Sequence, residues 1–178
     1  MTHNLKCELT TSKREIREYQ ELRSNIYKNE LDWNIDEEKL KNFDKKGYIF
    51  VLKNQDEVVG GARVMLSKDM NMMSSECVNY SYIKLLRDNN LYQDKYCEIN
   101  DIIVKPEFRG ECHISDKTTK FCIQNNQDYL LTVQDKKRCR LYKIWFNKLG
   151  YKSILSNLWS SLVEYNYSQD YVMITLLK

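Results

Sequence analysis

Apolar residues along this chain switch between alternating runs and stripes spaced three or four apart, and the switches mark its elements. Asn4–Thr10 reads as a short strand. Ser12 then caps a helix, with Glu15 at the capping-box position. Ile16, Tyr19, Ile26 and Tyr27 form that helix's apolar stripe. Leu31–Asp44 is a connection containing Trp33, with a short helix from Asp36. Tyr48–Leu52 and Val58–Leu66 are strands joined by the polar segment Lys53–Glu57. A methionine-rich loop, Ser67–Met73, and a helix over Val78–Leu91 precede a central strand, Tyr96–Val104. A turn at Lys105–Gly110 leads to a helix over Ser115–Asn125, then a strand over Tyr129–Val133. The helix Lys136–Leu149 reads as apolar nearly all round (Leu141, Tyr142, Ile144, Trp145, Phe146, Leu149), which predicts burial on two sides, and it ends at Gly150. Strands at Tyr151–Leu155 and Tyr171–Leu177 close the chain. This order predicts an α/β (α+β) domain, residues 1–178, with a mixed central sheet of about seven strands flanked by helices.

Polar residues inside these patterns are the candidates for chemistry, because burying them costs free energy unless they are paired or used. Arg23 lies on the first helix's apolar stripe, where an arginine either snorkels outward or points into a pocket. Arg63 shares a strand face with Val59, Gly61 and Met65, so it is either an exposed edge residue or a pocket residue given room by the glycines. Alternation in the central strand sets Glu98, Asn100 and Ile102 on one face and Ile99, Asp101 and Ile103 on the other. The following turn and helix start offer free backbone N–H groups, which suit a phosphate.

Composition narrows the classes. The 178 residues carry a net charge of only +3, so no strong field for nucleic acid is implied. The lysines read as scattered, without an arginine-rich stripe, which argues against nucleic-acid binding. No apolar run is long enough to span a bilayer, and the polar N-terminus is unlike a signal peptide. Six cysteines without CxxC spacing and two histidines argue against a metal. A reducing, cytoplasmic setting is expected.

The element order, with PEFRGE after the fourth strand and WFNKLGYKS ending the last helix, resembles the GNAT N-acyltransferase superfamily. In that superfamily the segment after the fourth strand cradles the pyrophosphate of coenzyme A. The resemblance assigns Arg109, Gly110, Glu111, Cys112, His113 and Ile114 to this role. Arg109 and Gly110 match the usual pattern, whereas Cys112 and Ile114 stand where small residues are usual and would crowd a phosphate. The superfamily often has a tyrosine four residues before the glycine that ends the last helix. Phe146 holds that position here, and Tyr142, one turn earlier, is either a core residue among its apolar neighbours or the substitute general acid.

A narrower resemblance runs through the N-terminal half. Arg23-x3-Tyr27-x5-Trp33-x10-Asp44 is similar to the opening signature of the autoinducer (acyl-homoserine-lactone) synthases, which carry a second aspartate where this chain has Gly47. GGARVML resembles their Gly-x-x-Arg strand and places Arg63 on its arginine. EIND resembles their Glu-x-Ser-Arg, with Glu98 matching, Asn100 replacing the serine and Asp101 reversing the arginine's charge. N-acyl amino acid synthases share this layout.

The resemblance implies transfer of an acyl group from an acyl-CoA or acyl-carrier-protein thioester to the amine of a small amino-acid-like acceptor, without a metal. Glu98 is then the base, and burial suits a carboxyl to that task. Backbone N–H groups at Ile103 and Val104 face the thioester. Arg23, Asp44 and Arg63 orient the acceptor's carboxylate and ammonium, Tyr27 and Trp33 wall it, and Asn100 adds a polar contact. The other readings are a homoserine-lactone synthase using S-adenosylmethionine, an N-acetyltransferase for a protein or small amine, and a non-catalytic thioester-binding or interaction module. The carrier protein is a further expected partner. The oligomeric state, monomer or homodimer, stays open.

Overall fold

In a computed structural model, described over residues 4–67, 90, 95–110, 114–160 and 170–177, the chain forms a seven-stranded mixed sheet with four α-helices among the described residues. The strands are β1 (Leu5–Thr10), β2 (Tyr48–Asn54), β3 (Glu57–Leu66), β4 (Tyr96–Val104), β5 (Tyr129–Asp135), β6 (Lys152–Ser160) and β7 (Asp170–Leu176). Their order across the sheet is β1-β2-β3-β4-β5-β7-β6. The helices are α1 (Lys13–Glu30), α2 (Glu37–Asp44), α3 (Ile114–Gln124) and α4 (Lys136–Lys148). The expected Met-rich loop beyond Ser67 and the expected helix over Val78–Leu91 lie outside the described residues. Among the described residues no helix is long and apolar enough to cross a membrane.

The chain divides into two compact units. The first comprises Met1–Val64 and Ile99–Phe121. Here β1, β2 and β3 form an antiparallel meander, with a bulge between Leu52 and Lys53. Ser12 caps α1 by accepting the Glu15 N–H, and Asp36 caps α2 by accepting the Lys39 N–H at 3.0 Å, which satisfies donors that a helix start leaves open. One buried cluster joins Tyr19, Ile26 and Tyr27 of α1 and Leu40 of α2 to Ile49, Val51, Val58 and Ile103. A second joins Leu52, Val59, Ala62 and Val104 to Phe108 and Ile114.

The two clusters expose a correction in β4. Strict alternation expects Ile99 opposite Ile102 and alongside Ile103. Instead Ile99 and Ile102 both pack with Val104, while Ile103 packs in the other cluster. The cause is Asp101, which has φ of +52° in mid-strand. A single left-handed residue shifts the pleat by one, as in a bulge.

The second unit comprises Met65–Glu98 and Cys122–Lys178. The start of β4, Tyr96–Glu98, pairs in parallel with Tyr129–Leu131 of β5. β7 pairs antiparallel with both β5 and β6, and α4 packs against all three of these strands, but its Leu141 and Ile144 are exposed, so the expected burial on two sides is not met. Tyr96 and Tyr129 stack with ring centroids 5.8 Å apart. The Cys97 thiol is buried; that burial, and then a hydrogen bond with Cys122, push its pKa up and keep it protonated.

Candidate active site

The first unit gathers four charged side chains from four elements. Arg23, on α1, is completely buried, and Arg63, on β3, is 2% exposed. Asp44, the last residue of α2, sits between them. Arg23 grips it with both ends of its fork, Nη1 to Oδ1 at 2.9 Å and Nη2 to Oδ2 at 2.8 Å. Arg63 Nη1 donates to the same Oδ1 at 2.9 Å, and Gln20 Nε2 donates to Oδ2 at 2.8 Å. Asp101, from the kinked point of β4, completes the set. Its Oδ2 lies 3.1 Å from Arg23 Nη1 and 2.9 Å from Arg63 Nη2. Tyr27 donates to its Oδ1 at 2.8 Å, and Tyr19 donates to its backbone carbonyl at 3.0 Å.

Two guanidinium groups and two carboxylates thus close into a neutral square. Neutrality is what makes the burial tolerable, since an unpaired charge there would carry its whole dehydration cost. The rings of Tyr19 and Phe43 add aromatic faces 5.2 Å from Arg23 and 5.3 Å from Arg63. Burial works to raise the Asp44 pKa, but the hydrogen bonds and charge of Arg23 and the charge of Arg63 outweigh it and hold the carboxyl below its ordinary value. Burial, followed by the Asp101 charge, pushes the phenols of Tyr19 and Tyr27 well up, so both stay protonated donors. Among the described residues the buried Nε atoms of Arg23 and Arg63 have no hydrogen-bond partner.

Two glycines make room for this square. A Cβ on Gly61 would stand 2.5 Å from the Tyr19 ring, and one on Gly47 would stand 2.7 Å from Arg63 Cγ. Gly47, where the autoinducer synthases carry their second aspartate, is therefore filled by the Arg63 stem. The second carboxylate comes from Asp101 instead.

The sequence expectation set Arg23, Asp44 and Arg63 against an acceptor, and the geometry commits all three to one another and to Asp101. Neither snorkelling nor edge exposure describes the arginines. Trp33 stays half-buried, with its ring 5.0 Å from that of Tyr27. Asp32, at φ +53°, turns the chain after α1, and the Trp33 N–H donates to the Tyr27 carbonyl at 3.0 Å. Asn100 is half-buried. The square draws in three residues that sequence reasoning did not select, Asp101, Tyr19 and Gln20. Asp101 carried a signal, because a charge-reversed position demands a cation elsewhere.

The remaining candidates fall along β4, in the turn after it, and on α4. Glu98 is 2% exposed, paired in register with Leu131. The Lys105 N–H donates to the Val59 carbonyl on β3 at 2.9 Å. Strand alternation then aims the Ile103 N–H toward β3 as well and the Val104 N–H toward the opposite edge. Arg109 ties down the turn, donating from Nε to the Val104 carbonyl at 3.0 Å and pairing with Glu30 at 2.5 Å. Gly110 is exposed with φ of +94°, and among the described residues nothing lies within 4 Å of where its Cβ would be. Glu111, Cys112 and His113 lie outside the described residues. Ile114 is fully buried in the core with Leu52 and Val59, so its bulk is taken up there rather than crowding an anion. In the second unit, Tyr142 on α4 is half-buried, and Phe146 packs against Trp145 and Tyr151. Among the described residues no group of three His, Cys, Asp or Glu side chains could hold a metal.

The fold is that of the GNAT acyltransferases and the autoinducer synthases. FeeM, an N-acyl amino acid synthase from uncultured soil microbes, superposes with a TM-score of 0.75 at 13% identity, over 98% of this chain and 91% of its own. BjaI, a CoA-dependent acyl-homoserine lactone synthase whose structure holds SAM and isopentyl-CoA, gives 0.66 at 14% identity, over 92% of this chain and 76% of its own. A GNAT-family acetyltransferase from Staphylococcus aureus gives 0.60 at 15% identity, over 98% and 99%. No family model matches the sequence, and the comparison with curated proteins found no match.

Proposed function

We propose that this chain is an N-acyltransferase that moves an acyl group from a coenzyme A or carrier-protein thioester to the amine of a small amino-acid-like acceptor. The observation that carries the reading is the break in β4. Buried Glu98 precedes it, the Val104 N–H turned away from β3 follows it, and Asp101 at the break is held by Arg23, Arg63, Tyr19 and Tyr27. The fold shared with an N-acyl amino acid synthase supports it.

In this mechanism the Glu98 carboxylate takes a proton from the acceptor's ammonium, directly or through a water. The neutral amine attacks the thioester carbonyl. The Val104 N–H stabilises the oxyanion, with Ile103 setting the strand's course beside it. The C–N bond forms, the adduct's nitrogen gives its remaining surplus proton to water, the C–S bond breaks, and the leaving thiolate takes a proton from Tyr142 or water. Arg109, Gly110, Glu111, Cys112, His113 and the N–H of Ile114 receive the donor's phosphates. Arg23, Asp44 and Arg63 act as the frame that fixes β4, while Tyr27, Trp33 and Asn100 line the acceptor's side.

Free-thiol release from a panel of acyl-CoAs, with an amino-acid panel as acceptors, tests this. Wild type turns over and Glu98→Gln loses at least about a hundredfold, the lower range for a general base. Full activity in Glu98→Gln removes Glu98 from the mechanism. A second reading, a thioester-binding module without turnover, is favoured by Phe146, which puts a ring without a hydroxyl where the superfamily often has its acid. Calorimetric binding of acyl-CoA with no thiol release decides for it.

A further inference from the structure

The cations of this chain are not evenly spread. Residues 136–163 contain seven Lys and Arg and no Asp or Glu, leaving 21 of the 28 cations to face all 25 acids elsewhere. The block begins with α4, a 13-residue helix that packs on β5, β6 and β7. Its exposed side runs Lys137, Leu141, Ile144, Lys148, at helical spacings of four, three and four, with Arg140 beside it. Leu141 is 57% exposed and Ile144 56%, and Leu149 just past the helix is 42% exposed. These are three of the four large apolar residues that stand out as exposed among the described residues. No carboxylate among the described residues pairs with Lys137, Arg140 or Lys148.

We propose that the outer face of α4 docks on an anionic lipid surface. Three features favour that occupant. Exposed aliphatic side chains gain nothing from a nucleic-acid backbone, but they enter the headgroup–acyl boundary while the flanking cations meet lipid phosphates. A helix seated on a sheet presents a convex ridge, so a protein partner would have to supply a groove, whereas a bilayer deforms around it. A second copy would bring the same cations together, and their repulsion disfavours self-association through this face. The surface stands on its own, whatever reaction the chain performs.

Vesicle co-sedimentation of the full chain tests this, using phosphatidylcholine alone and phosphatidylcholine with about a quarter phosphatidylserine. The protein pellets with the anionic vesicles only, and binding falls at least tenfold when salt is raised from roughly 0.05 to 0.5 M. Leu141→Ser with Ile144→Ser, and separately Lys137→Glu with Lys148→Glu, each weaken binding at least fivefold. Circular dichroism on each variant confirms the fold. No pelleting with anionic vesicles overturns the proposal. So does binding that survives both double substitutions. Equal retention of a DNA duplex or polyglutamate, unaffected by the serine pair, would make the face a mere cation stripe or a protein dock, and also overturns it.

Discussion

Asp44→Asn tests whether the square is held by charge. The substitution keeps the shape of the side chain but removes one of two carboxylates that neutralise two buried guanidinium groups. Four hydrogen bonds converge on Asp44, three of them from Arg23 and Arg63. An asparagine can accept some of these through its amide oxygen, but its NH2 group then faces a guanidinium. Breaking a buried ion pair on one side costs about 3–5 kcal/mol. A domain of this size is stable by about 5–15 kcal/mol, so the loss is a large fraction of the total. The melting temperature should fall by roughly 6–20 °C, at about 2–4 °C per kcal/mol for this length. Urea unfolding followed by tryptophan fluorescence and circular dichroism measures it. The double variant Asp44→Asn with Arg63→Met should lose less than the sum of its singles, because removing a cation restores the balance. A loss for Asp44→Asn under about 1 kcal/mol, the value of an exposed pair, would refute the claim that this cluster is dry and mutually dependent.

Other outcomes follow from the same geometry. The folded-state pKa of Asp44 lies below its unfolded value, so its contribution is complete above the ordinary aspartate range, about 3.9, and is lost as pH falls through the lower folded value. Wild-type urea midpoints should therefore drop more steeply below about pH 4 than those of Asp44→Asn, which has no such proton to take up. Gly61→Ala would put a methyl 2.5 Å from the Tyr19 ring and 2.6 Å from the Phe50 carbonyl, so unfolding measurements should show a loss of about 1–3 kcal/mol or more. Arg109→Ala breaks a largely exposed pair with Glu30 and should change stability by at most about 1 kcal/mol, while acyl-CoA titration should show weakened binding if the turn receives the phosphates.

Most of the fold was legible because its elements are marked by local chemistry: the caps at Ser12 and Asp36, the apolar stripe of α1, and the β-branched run of β4. In β4, alternation failed at Asp101. No periodicity rule expects a left-handed aspartate inside a strand, and what holds it there arrives from Tyr19, Arg23, Tyr27 and Arg63, all distant in sequence. The spacing of Arg23, Tyr27, Trp33 and Asp44 did point to a cluster. It did not say that the cluster would be self-neutralised, because that depends on Asp101 turning onto the same face. The expectation of scattered lysines missed the charge segregation at residues 136–163, because a net charge of +3 hides it behind acids elsewhere.

The square also bears on the order in which the protein assembles. The contacts of Asp101 with Tyr27, Arg23 and Tyr19 close loops of 74, 78 and 82 residues, among the slowest kinds of contact to form. Until β4 is in place, Arg23 and Arg63 share only Asp44 and keep water around them. Their dehydration therefore belongs to a late step, after the meander and α1 have met. Substitutions at Asp101 should then leave refolding rates nearly unchanged and appear as faster unfolding in stopped-flow chevrons. The four charges would act as a latch on the finished molecule and take little part in guiding the chain toward it.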